Sequence, residues 1–187
     1  MCSSDLSGAI LGNGSLVLKV YYNRNSYEVT FNKQGGEGGA DQISVVYEST
    51  IEALTTLPTL KGHTFAGYYT NTNIESECYF DKEGNVAEGK TKWTITKALE
   101  LYANWKAITY TVTLDASTND GTITGTTDKV ASFTVTYGET YDGLDGLTAT
   151  KRGYIFNGWF TDAETGKGTQ IKSTDKVEIT ADQTLYC

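Results

Sequence analysis

The chain has 187 residues, room for one ordinary domain or two small ones, and carries a formal charge of −8 with a pI of about 4.6. That balance argues against nucleic acid as a partner, because the basic patch such binding needs is missing, and no apolar run approaches the ~20 residues of a membrane-spanning helix. Tyr occurs 13 times and Pro only once, a composition that suits half-buried strands.

The start, Met1-Cys2-Ser3-Ser4-Asp5-Leu6, has none of the basic, apolar and small-residue segments of a secretory signal, and it is read as carrying no biological meaning. Residues 18–24 resemble residues 99–105: Leu18, Tyr21 and Asn23 fall on Leu99, Tyr102 and Asn104. Residues 1–26 therefore read as the tail of a preceding repeat, and the chain as an internal piece of a longer exported protein. Tyr27, Val29 and Phe31 alternate with polar residues, the period of a half-buried strand. The run Gly35-Gly36-Glu37-Gly38-Gly39 supplies turn chemistry, and a second strand over 43–47 is predicted to pair with the first as a hairpin. Apolar residues spaced by three over 50–57 predict one or two helical turns with Thr50 as N-cap. A third strand is expected over 63–69. After an irregular loop over 71–92, a fourth is expected over 93–96 and 99–105.

The same order then returns. Tyr110-Thr-Val-Thr-Leu114 repeats Tyr27-Glu-Val-Thr-Phe31 at an offset of 110 − 27 = 83. Asn119-Asp120-Gly121 is its turn, 132–137 its second strand, and 140–147 its short helix with Thr140 as N-cap. Arg152-Gly-Tyr-Ile-Phe-Asn-Gly-Trp-Phe-Thr161 repeats Lys61-Gly-His-Thr-Phe-Ala-Gly-Tyr-Tyr-Thr70, and Leu185-Tyr186 repeats Leu101-Tyr102. Two modules follow, 27–106 and 110–187, the second lacking its last few residues, with residues 107–109 as a short linker. Each reads as strand, strand, short helix, strand, strand: an α+β unit, mostly β, with a four-stranded sheet covered on one side. A unit of ~80 residues buries a modest core, so large aromatics and contact with neighbouring modules both matter.

These blocks resemble the Listeria/Bacteroides repeat, or internalin-type B repeat. In the second copy the resemblance rests on Tyr110-Thr-Val-Thr-Leu-Asp115, Val135-Thr-Tyr-Gly138, Gly153, Phe156, Gly158, Trp159, Leu185 and Tyr186. In the first it rests on Tyr27, Gly62, Phe65, Gly67, Tyr68 and Leu101-Tyr-Ala-Asn-Trp105. Tyr68 stands where Trp is usual and His63 where Tyr is usual. The resemblance implies a β-grasp-like, ubiquitin-like module found in tandem in extracellular bacterial proteins, with no catalytic residues and no cofactor.

Candidate chemistry is sparse. His63 is the only histidine, and its counterpart Tyr154 marks a half-buried aromatic position more simply than a catalytic one. Cys2, Cys78 and Cys187 share no redox, zinc or disulfide spacing, and no metal is expected. Asp115, Asp120, Asp128, Asp142 and Asp145 read as solvated surface, since paired acids need a cleft and units this small are expected to offer none. The glycine run is followed by a strand rather than a helix, so it is a flexible hairpin connection and not a phosphate cradle. The adjacent pairs Tyr68, Tyr69 and Trp159, Phe160 are the candidate ligand contacts, since one member of each pair should point away from the core; cover by the long loop or by a neighbouring module is the favoured fate of that ring, because Trp and Tyr usually bury most of their area.

The expectation is a non-enzymatic stalk or spacer segment of a secreted or cell-wall-anchored bacterial surface protein, with a role in adhesion. Its partners would be the neighbouring repeats of the same chain. The alternative is a carbohydrate- or host-protein-binding module that uses those aromatics.

Overall fold

The computed structural model describes residues 20–164 and 167–187. Residues 1–19, with the start read as meaningless and most of the preceding repeat's tail, lie outside the described residues.

Among the described residues seven strands occur in each module, in the same order. The first module has β1 (Ser26–Asn32), β2 (Glu37–Gly38), β3 (Gln42–Val46), β4 (Pro58–Thr59), β5 (His63–Tyr69), β6 (Cys78–Phe80) and β7 (Leu99–Ala107). The second has β8 (Thr109–Asp115), β9 (Thr122–Ile123), β10 (Val130–Thr136), β11 (Ala149–Thr150), β12 (Trp159–Phe160), β13 (Gln170–Ile171) and β14 (Gln183–Tyr186). The main sheets run β3-β1-β7-β5-β6 and β10-β8-β14-β12-β13, and the small pairs β2-β4 and β9-β11 repeat as well. In each sheet the first and last long strands lie parallel at the centre, with Phe31 opposite Leu101 and Leu114 opposite Leu185. Alternation sets which side chains go inward. Val29 and Phe31, and Val112 and Leu114, are buried, while Glu28 and Thr30 face water.

The expected hairpins form, Tyr27 opposite Val45 and Tyr110 opposite Val135. The expected α+β class, a β-grasp-like unit with one short helix per module, is overturned. The chain is nearly all β, and the helical structure among the described residues is one 3-10 turn, Asp142–Leu144. The physical reason is competition for backbone donors. Ile51 N–H donates to Thr91 O at 3.0 Å and Leu54 N–H to Gly84 O at 2.9 Å, so neither remains for an i→i−4 bond. In the second module Gly143 and Gly146 weaken the helix further, and the turn is capped by neither expected threonine: its N-cap is Tyr141, without a side-chain bond.

Each main sheet has five strands rather than four. The loop over 71–92 contributes β6 at the sheet edge, Tyr68 opposite Phe80, and the glycine run forms β2 against Pro58–Thr59 instead of a bare connection. Trp93 lies outside the strands yet is 2% exposed, tied to the turn after β3 by Trp93 N–H to Ser49 O at 3.1 Å. Two separate cores result. One gathers Val29, Phe31, Tyr68, Phe80, Trp93 and Leu101; the other gathers Val112, Leu114, Tyr141, Trp159, Val177 and Leu185.

Candidate functional site

The aromatic pairs lie where the third long strand bends. Register shifts between Phe65 and Gly67, so Ala66 is an extra residue and the bulge changes which side chains share a face. Phe65 and Tyr68 consequently both face the core, ring centroids 5.1 Å apart, as do Phe156 and Trp159 at 5.5 Å. Tyr69 stands outside that core cluster, 9% exposed, and its hydroxyl donates to Ala66 O at 3.3 Å. Tyr68 and Trp159 are 1% and 3% exposed, and Phe160 is half-buried. A strand period sets one ring of each pair outward but does not reveal what covers it.

The two inward rings are not equivalent. The Trp159 indole N–H donates to Leu147 O at 2.8 Å, whereas the Tyr68 hydroxyl, at the same position of the first module, has no partner. Burial, with the Asp41 carboxylate adding to it, pushes the Tyr68 phenol up to about 12. A buried hydroxyl without a partner costs about 1–3 kcal/mol. Tyr68→Phe is thus expected to raise the stability of the first module by about 1 kcal/mol, read as a higher urea midpoint at an unchanged slope. A lower midpoint would mean that the hydroxyl is bonded in solution.

The modules meet through one residue. Between Ala107, the end of β7, and Thr109, the start of β8, Ile108 donates its N–H to Gly62 O at 2.9 Å and accepts the N–H of Tyr137 at 2.9 Å. The Tyr137 ring lies directly on Gly62, where an added Cβ would come within 2.1 Å of it. His63 packs edge-on to the same ring, centroids 5.6 Å apart, and its Nδ1 bonds Lys61 O at 2.9 Å. The only histidine of the sequence is therefore a junction residue. The N-terminal edge of the first module shows part of the same arrangement, Tyr47 N–H donating to Asn25 O at 2.9 Å. Sequence reasoning named residues 107–109 as the linker and did not name its partners. The signal was present in the tyrosine that follows the second strand in both copies, Tyr47 and Tyr137, and in the glycine that opens the third block, Gly62 and Gly153.

Contrary to the expectation of no cleft, the second module carries a groove of about 320 Å³ bordered by Gly121, Tyr154, Phe156, Phe160 and Cys187. The other polar candidates have structural surroundings. The Asp115 carboxylate accepts the Ser117 and Thr118 hydroxyls at 2.5 and 2.7 Å, and those bonds hold it below the usual carboxylate range. Burial pushes the Cys78 thiol up, and its S–H donates to Phe80 O at 3.3 Å, the opposite of an activated nucleophile. Among the described residues no group of three His, Cys, Asp or Glu side chains could hold a metal.

A protein of Evansella cellulosilytica named as a Gly-rich membrane protein is 27% identical over 178 residues, 94% of this chain. The chain spans 18% of that relative's length. The Listeria-Bacteroides repeat domain matches twice, over residues 27–104 and 110–187, so the chain belongs to the Listeria-Bacteroides repeat family.

Proposed function

We propose that this chain is a non-catalytic spacer segment of a secreted or cell-surface bacterial protein, in which tandem modules are held in fixed relative orientation to project or present other domains, adhesive ones included. The observation that carries this reading is the junction. A connection of one residue, bonded on both sides and covered by the Tyr137 ring, leaves little freedom for one module to swing against the next. Flexible tethers use long Gly- and Ser-rich segments, and here the closing strand of one sheet leads into the opening strand of the next. Neighbouring repeats are the first partners in this reading. Gly153 and Tyr154 stand where Gly62 and His63 stand one module earlier; Gly153 keeps a φ of +84° with nothing near its Cβ direction, and Tyr154 is 71% exposed. They are a seat for the tyrosine of a following module. Of the four aromatics considered for a sugar or host-protein ligand, only Phe160 borders the groove and is not buried in the folded module.

Residual dipolar couplings test the spacer reading. A single alignment tensor is expected to fit both modules of the full chain, and inserting Gly-Ser-Gly after Ile108 is expected to give two tensors of different magnitude. Two independent tensors in the unaltered chain would refute a fixed orientation. Tyr137→Ala is expected to loosen the junction with little effect on either core, since Tyr137 is only half-buried.

A further inference from the structure

The chain enters the first module through β1 and leaves it through β7, and these two strands are neighbours in the sheet. They run parallel, paired from Val29 opposite Leu99 to Asn32 opposite Tyr102. The pairing is staggered. β1 begins at Ser26, before the first of these pairs, and β7 runs past the last of them to Ala107. The incoming and outgoing chain therefore leave the ladder at opposite ends. Opposed pulls on the two flanks slide one strand along the other instead of lifting it off, so the bonds between them share the load rather than breaking one after another. The β1–β3 hairpin differs: it is antiparallel, with Ser26 opposite Val46 at its open end, and a pull across that end opens it pair by pair.

Position in the sheet protects the parallel ladder. β3 flanks β1 on its far side and β5 flanks β7, while Val29, Phe31 and Leu101 are buried on the inner face. Water, which would take over a strained backbone bond, cannot reach the ladder from either edge. On the outer face Asn32 Nδ2 donates to Glu100 Oε1 at 3.2 Å and the Tyr102 hydroxyl donates to Glu100 Oε2 at 2.6 Å, a side-chain tie across the same two strands. The second module repeats the arrangement, from Val112 opposite Gln183 to Asp115 opposite Tyr186. Its tie is built differently, the Asp182 carboxylate accepting the Thr111 N–H at 2.8 Å. Ile108 is the single residue between β7 and β8, so a pull on one ladder passes to the next without a slack segment.

We infer that these parallel pairs are shear clamps, and that bearing tension along the chain is a further function of the module. That tension reaches the array at all rests on the spacer reading, whereas the clamp rests on strand order, direction and stagger. The resistance is kinetic: it lies in the barrier that must be crossed when the whole ladder slides, not in the folding free energy of a small unit.

Optical tweezers on the full chain compare two pulling directions within one folded module. One handle is attached at Ser26 and the other at Lys106 or at Val46, all three exposed positions. The Ser26–Lys106 pair loads the parallel ladder in shear, and the Ser26–Val46 pair peels the hairpin from its open end. At equal loading rate the first unfolding force is expected to be at least about twofold higher for Ser26–Lys106, since forced unfolding follows the unfolding rate and only that geometry loads the ladder bonds together. Equal forces, or a lower force along the chain, would overturn the clamp. A failed clamp would leave a single alignment tensor for the two modules intact, and two tensors would leave the clamp intact, so this inference and the spacer reading fail separately.

Discussion

Trp159→Ala is expected to unfold the second module while the first remains folded. The ring is 3% exposed and packs on Phe156, and its N–H satisfies Leu147 O. Truncating a buried tryptophan costs about 3–5 kcal/mol, and the stranded Leu147 carbonyl adds to that. A domain of this size is stabilised by on the order of 5 kcal/mol, so the loss consumes most of what holds the module together. The cores are separate clusters, and among the described residues the junction is the linker residue Ile108 with the Tyr137 ring on Gly62 and His63. Unfolding should therefore stop at the junction. In an amide correlation spectrum, signals from residues 110–187 would collapse to unfolded positions while those from 27–106 persist. Collapse of both sets would show that the junction couples the modules far more strongly than its contact area implies. Retention of both would mean that the core closes over the cavity.

The repeat architecture was legible because it is written in residues whose roles are local. Tyr27, Val29 and Phe31 declare a strand by alternation alone, and their recurrence at Tyr110, Val112 and Leu114 needs no tertiary knowledge. The short helix was misread for a tertiary reason. The spacing of Ile51, Leu54 and Leu57 fits a helix, but Thr91 O and Gly84 O lie 40 and 30 residues further along the chain and capture the N–H groups of Ile51 and Leu54. The fifth strands were missed because three residues, Cys78–Phe80, are too few to show a period.

The junction was half legible. Residues 107–109 read as a short linker, yet the groups that bond Ile108 belong to Gly62 and Tyr137, 46 residues before it and 29 after it, and no window along the chain joins them. The groove was not legible at all. Its borders, Gly121, Tyr154, Phe160 and Cys187, lie far apart along the chain, and no window joins them.

The bulge in β5 yields the second large prediction, with an internal control. Gly67 and Gly158 occupy the same position with nearly the same backbone, φ +130° and +131°, a region that residues with a side chain rarely enter. Alanine at either site carries a strain of about 1–3 kcal/mol. The surroundings then separate them. At Gly67 the new Cβ would lie 2.6 Å from Phe80 O, a backbone atom of the paired strand β6, and 3.0 Å from the Tyr69 ring. At Gly158 it would meet the Gln170 amide, the far end of a flexible side chain that can move away for the loss of its 2.8 Å bond to Asn157 O.

Gly67→Ala should accordingly break the β5–β6 pairing and cost well over 3 kcal/mol, enough to unfold much of the first module at room temperature. Gly158→Ala should cost about 1–3 kcal/mol and leave the second module folded with a lowered urea midpoint. Equal midpoint shifts at the two sites would mean that β6 gives way as easily as a side chain does. No shift at either would mean that the bulge relaxes to an ordinary strand, in which case Phe65 and Tyr68 could not both face the core.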